Sequence, residues 1–107
     1  MITERDRRIV QEFKRLMIAR GVSVREVILF GSRARGDAEP DSDMDVLVII
    51  ENLDRQIRKL ITRCAWEVGY ESGVVIQSMA MTRSEAEEGP ERSSLLMLAV
   101  REEGVRV

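Results

Sequence analysis

Two aspartates one residue apart, Asp43 and Asp45, run straight into the apolar stretch Val46-Leu-Val-Ile-Ile50. Side chains alternate along a strand, so both carboxylates share one face while Met44 and Val46 point to the other. Carboxylates held together at the edge of a core repel each other unless a cation compensates them. Such a pair can bridge divalent cations roughly 3.5–4 Å apart, the arrangement used to transfer phosphoryl and nucleotidyl groups. Upstream, the short apolar run Val27-Ile-Leu-Phe30 ends in Gly31-Ser32. Gly31 has no Cβ and lets the backbone approach a phosphate closely. Ser32 adds a hydroxyl beside the backbone N–H groups there. Arg33 and Arg35 offer guanidinium forks that suit the oxygens of a triphosphate.

Composition narrows the chemistry further. The chain contains no histidine, which excludes a Ser-His-Asp triad, an imidazole base and a His-ligated zinc. The single cysteine, Cys64, allows neither an internal disulfide nor a cysteine-cluster metal site. A bound metal must then be held by carboxylate oxygens, which selects hard cations such as magnesium or manganese. A net charge of −2 and only four aromatic residues argue against a general nucleic-acid binder. The near balance of charge conceals a sharp asymmetry. Residues 1–36 carry +5, residues 37–54 carry −7 without a single base, residues 55–83 carry +3 and residues 84–107 carry −3. The length of 107 residues predicts one small domain, with no room for a second. No apolar run exceeds the six residues Leu95–Val100, and the N-terminus is charged where a signal peptide needs an apolar core. The expectation is a cytoplasmic protein with no membrane span.

The elements that must position these residues follow from periodicity and caps. Thr3-Glu-Arg-Asp6 resembles a capping box, and Ile9, Val10, Phe13, Leu16 and Met17 follow at helical spacing, which predicts a helix over 4–20 before Gly21. Val27–Phe30 reads as a strand covered on both faces, Gly31–Ser42 as a polar connection, and Asp43–Ile50 as a second strand. Asn52 is placed to cap a second helix with apolar positions Leu53, Ile57, Leu60, Ile61, Cys64 and Val68, ending at Gly69. A third strand is expected over Val74–Met81. A short helix is expected from Thr82 or Ser84, each with a glutamate three residues on, broken by Gly89-Pro90. Ser93 or Ser94 opens a last helix to Glu103, leaving Val105–Val107 as a tail. The order α-β-β-α-β-α-α predicts an α/β or α+β two-layer domain, a small mixed sheet backed by helices.

The wording Gly31-Ser32, ten residues, Asp43-x-Asp45 resembles the signature of the nucleotidyltransferase superfamily that includes DNA polymerase beta. The short chain and the segment Gly31-Ser-Arg-Ala-Arg-Gly36 are similar to the minimal nucleotidyltransferases, or MNT domains. Four fixed positions in such a pattern arise by chance in about one chain of this size per thousand. The resemblance implies the polymerase beta-like fold. It also implies that Asp43 and Asp45 bind magnesium (or manganese) carrying a nucleoside triphosphate, usually ATP, whose phosphates Gly31 and Ser32 cradle. An acceptor hydroxyl would attack the α-phosphorus and pyrophosphate would leave. MNT domains are commonly paired with HEPN-domain toxins, so the resemblance implies a HEPN partner adenylylated on a tyrosine and thereby silenced.

One departure from the family stands out. Many catalytic members carry a third carboxylate on a later strand, where it binds metal and helps deprotonate the acceptor. The corresponding segment here, Val74-Val-Ile-Gln-Ser-Met79, contains no acid. Gln77 is its only long polar side chain, and Glu71 is the nearest acid. Activity then needs Glu71, a partner residue or water to complete the site. The alternatives are a degenerate binding antitoxin that acts by contact alone, and a nucleotide-binding sensor. Of the remaining features, Cys64, Met79 and Met81 read as core. Trp66 falls nearly opposite the apolar face of its helix, beside Arg55, Lys59, Thr62 and Arg63. It reads either as an interface through which the chain meets a partner or itself, or as a ring lying over the stems of Thr62 and Arg63 or under another element.

Overall fold

The structure is a computed structural model that describes residues 2–89 and 94–107. Helix α1 (Glu4–Ala19) starts at Thr3, whose Oγ accepts from the Asp6 N–H at 3.0 Å. Its buried positions Ile9, Val10, Phe13 and Met17 keep the expected helical spacing. Strand β1 (Val24–Phe30) is longer than its apolar run, because Val24 and Glu26 also pair, with a shift of register between them. The segment after it is not all loop, since Ser32–Arg35 closes a helical turn, α2. Strand β2 (Met44–Ile50) begins one residue after Asp43.

Helix α3 (Arg55–Ser72) corrects both expected ends. Asp54, not Asn52, is the cap, its Oδ1 accepting from the Ile57 N–H at 2.8 Å. The helix continues through Gly69 and stops at Gly73, whose φ of 73° suits a left-handed helix cap. Gly69 serves a different purpose. A Cβ there would lie 2.6 Å from the Val74 carbonyl oxygen, where the chain folds back toward the sheet. Strand β3 (Ile76–Thr82) runs into α4 (Arg83–Glu88), which opens on a complete capping box between Thr82 and Glu85. Pro90 and Ser93, expected as a break and as one choice of cap, lie outside the described residues; Ser94 caps α5 (Leu95–Glu103). The expected tail is a strand, since β4 (Val105–Arg106) pairs with β1.

The four strands form one mixed sheet in the order β3-β2-β1-β4. β1 pairs antiparallel with β2 and β4, whereas β2 and β3 are parallel, with α3 as the crossover that a parallel pair requires. Alternation divides the strand residues between two apolar clusters. Val27, Leu29, Met44, Val46, Val48 and Ile50 face α1 and α3 in the larger cluster. Ile28, Phe30, Leu47, Ile49 and Met81 face Met97 and Val100 of α5 in a smaller one. The mixed sheet with helices is therefore as expected, and α4 and α5 give it a helical cover on its second face as well. No helix among the described residues is long and apolar enough to cross a membrane.

Candidate active site

Asp45 has the parity of Leu47 and Ile49, so it lies on the second face of the sheet. It stands at the end of that face, paired with Phe30 across the antiparallel ladder. The next residue after Phe30 is Gly31, and this register brings the turn against the carboxylate. A Cβ on Gly31 would stand 2.5 Å from Asp45 Oδ2, and the backbone there has φ +78°. Glycine is required at this position for both reasons. Ser32 follows as the first residue of α2, half-exposed.

Asp43 lies just before β2 and is exposed. The pair is nevertheless close enough to interact. The Asp45 carboxyl is pushed above its ordinary value, first by burial and then by the charge of Asp43, while Arg35 pulls it down. Arg35 is held by Asp37 through its Nε at 3.2 Å and by Glu103 through its Nη1 at 2.6 Å. On the other side of Asp45 the parallel ladder sets Gln77 directly in register. Gln77 thus occupies the neighbouring position on the same face, with a neutral amide. Glu71 sits in the last turn of α3, exposed, on a helix rather than on this face.

Arg33 is placed differently from Arg35. Its side chain is only 6% exposed, and Nη1 donates to Asp6 Oδ1 at 3.1 Å. Its Nε and Nη2 donate to the Ser42 carbonyl at 3.0 and 2.7 Å, and Nη2 also reaches the Pro40 carbonyl at 3.2 Å. The guanidinium is therefore committed to the backbone that leads into Asp43. Asp6 is buried in α1, although in the sequence it reads only as part of a helix cap. Its N–H does bond Thr3, but its carboxylate goes to Arg33, 27 residues away. No local signal announces that pairing.

Among the described residues, no three His, Cys, Asp or Glu side chains converge on one point. Two carboxylates with an amide beside them still suit magnesium, which typically takes one or two carboxylates and completes its shell with substrate phosphates and water. The clearance that Gly31 leaves beside Asp45 Oδ2 gives such a ligand room. A cavity of about 680 Å³ opens beside Gln77, between α3, residues 40–42 and the start of β3. Trp66 and Tyr70 stand at its rim, stacked with ring centroids 5.3 Å apart and planes 14° from parallel.

The chain matches the nucleotidyltransferase domain family over residues 7–99. No curated protein matches it at a significant level. Among solved structures, a toxin–antitoxin crystal structure with AMP-PNP superposes with a TM-score of 0.62 at 19% identity, covering 90% of this chain and 69% of that one. A toxin–antitoxin MntA–HpeT mutant gives 0.61 at 16% identity, covering 94% and 70%. A tri-AMPylated Shewanella oneidensis HEPN toxin in complex with MNT antitoxin gives 0.58 at 16% identity, again covering 94% and 70%. The family match takes in the whole strand–turn–strand unit that carries Gly31, Ser32, Asp43 and Asp45 along with most of the remaining fold, and the chain belongs to the nucleotidyltransferase domain family.

Proposed function

We propose that this domain transfers AMP from ATP to a hydroxyl of a partner protein, a HEPN-domain toxin for which it is the antitoxin. The observation that carries the reading is the approach of the Gly31–Ser32 turn to Asp45, with Asp43 alongside. The similarity in fold to structures that hold AMP-PNP and an AMPylated HEPN toxin supports the choice of nucleotide and partner.

Asp43 and Asp45 would hold magnesium or manganese, which when bound offsets charge on the phosphates and on departing pyrophosphate. Gly31 and Ser32 receive the outer phosphates, and Arg35, beside Asp45, adds positive charge near them. Arg33 acts as a positioning residue, fixing residues 40–42 so that Asp43 meets Asp45. The acceptor oxygen attacks the α-phosphorus. A new O–P bond forms as the bond to the β-phosphate oxygen breaks, and the acceptor proton leaves to water, because Gln77 has no basic atom.

A second reading is favoured by one specific observation. Gln77 stands in register with Asp45 at the place where a third carboxylate would serve as metal ligand and base. On that reading the domain binds its partner without modifying it. ATP labelled at the α-phosphate, magnesium and the purified HEPN partner separate the two. Label on the partner that disappears with Asp45→Asn supports transfer. Neutralisation of the toxin by Asp45→Asn, with no label from the wild type, supports contact alone.

A further inference from the structure

Four cations on the outer face of α3, Arg55, Arg58, Lys59 and Arg63, have no ion pair among the described residues. Other arginines do meet carboxylates: Arg15 with Glu12, Arg25 with Glu51, Arg106 with Glu26. The four line one groove that ends on Trp66. Trp66 is 67% exposed and Tyr70 is 77% exposed, so the stacked pair presents its faces to solvent. From Trp66 the larger cavity continues past Tyr70 and the exposed Val75 to the start of β3 at Gln77, the residue beside Asp45. β3 is an edge strand, and Ile76–Thr82 contains neither charge nor proline. Such an edge offers unpaired backbone groups to an extended chain.

We propose that this track is the docking surface for the acceptor protein. A segment bearing the acceptor hydroxyl lies along the edge of β3 and against the Trp66–Tyr70 pair, and an acidic stretch of the same protein fills the cationic groove of α3. The proposal rests on the transfer reading and adds how the acceptor is recognised. Charge complementarity selects an acidic occupant, and the path selects polypeptide over nucleic acid. A nucleic-acid strand carries a phosphate at every step, and beyond Trp66 it would pass Asp41, which lines the same cavity. A polypeptide can be acidic only where it faces α3.

Trp66 is the only tryptophan, so its emission reports on the surface directly. The probes are a random glutamate–tyrosine copolymer and an oligothymidylate of matched charge. The copolymer is expected to change Trp66 emission and to bind about tenfold or more weakly to Arg58→Glu/Arg63→Glu and to Tyr70→Ala. All three positions are exposed, and circular dichroism checks that the variants fold. Asp45→Asn should bind the copolymer as the wild type does while losing label transfer to its tyrosines. Unchanged affinity in the charge-reversed variant, or oligothymidylate binding as tightly as copolymer, overturns the docking proposal. Copolymer binding by the wild type with no label transfer overturns the transfer reading and leaves the docking surface standing.

Discussion

Burial and the neighbouring Asp43 both raise the Asp45 carboxyl above the ordinary aspartate value, against the opposing pull of Arg35. The folded protein therefore holds this proton more tightly than the unfolded chain does. The resulting stability is fully present below the unfolded-state value and is lost as pH rises through the raised folded-state value. Without metal, Asp45→Asn should melt above the wild type at neutral pH, and the two should converge in acid. Melting curves in a chelator at both pH values check this; a constant difference would mean that the Asp45 charge is not what the variant relieves. Asp6 makes the opposite case. Removing it leaves the Arg33 guanidinium buried without its counter-charge, so Asp6→Ala should cost about 3–5 kcal/mol in denaturant unfolding. A loss below about 1 kcal/mol would show that the Pro40 and Ser42 carbonyls alone satisfy Arg33. The spacing of Gly31, Ser32, Asp43 and Asp45 was readable in the sequence because one hairpin contains them all. The burial of Arg33 was not, because side-chain type suggests a phosphate fork, whereas its partners are the distant Asp6 and two backbone carbonyls.

Elements were readable wherever a local rule governs them. The apolar spacing from Ile9 to Met17 announces α1, and the Thr82–Glu85 capping box announces α4. Ends and pairings depend on contacts far along the chain. Gly69 reads as a helix stop, yet it is an interior helix residue whose missing side chain lets Val74 pack against α3. Gly69→Ala would gain about 1 kcal/mol of helix propensity. The new Cβ would meet a backbone oxygen, which cannot swing away, and overpacking of that kind costs about 1–3 kcal/mol. A net destabilisation of about 1 kcal/mol is the expected result of chemical unfolding; a stabilised variant would show that the turn relaxes freely. β4 has only two residues, too few for any pattern, and exists because α5 returns the chain beside β1. The parallel register of β2 and β3 belongs to the same class. It alone reveals that Gln77, and not Glu71, neighbours Asp45.

Across the whole molecule, charge is sorted by location. The acidic run of residues 37–54 contains the carboxylate pair, while cations with no ion pair among the described residues gather on the outer face of α3. Such a layout suits a cation delivered with its nucleotide to one end of the sheet and a protein acceptor arriving along its edge. The carboxylate pair is tested most directly by thermal unfolding with ATP and magnesium, with ATP and a chelator, and with magnesium alone, on the wild type and on Asp45→Asn. A ligand that binds only the folded state stabilises it by mass action, by about 2.7 kcal/mol at one hundred times its dissociation constant. The wild type should be stabilised by ATP with magnesium and much less by ATP with chelator, and Asp45→Asn should lose the magnesium-dependent part. Equal stabilisation with and without magnesium, or an undiminished magnesium effect in Asp45→Asn, would contradict the assignment of Asp43 and Asp45 as the ligands that hold the nucleotide's cation.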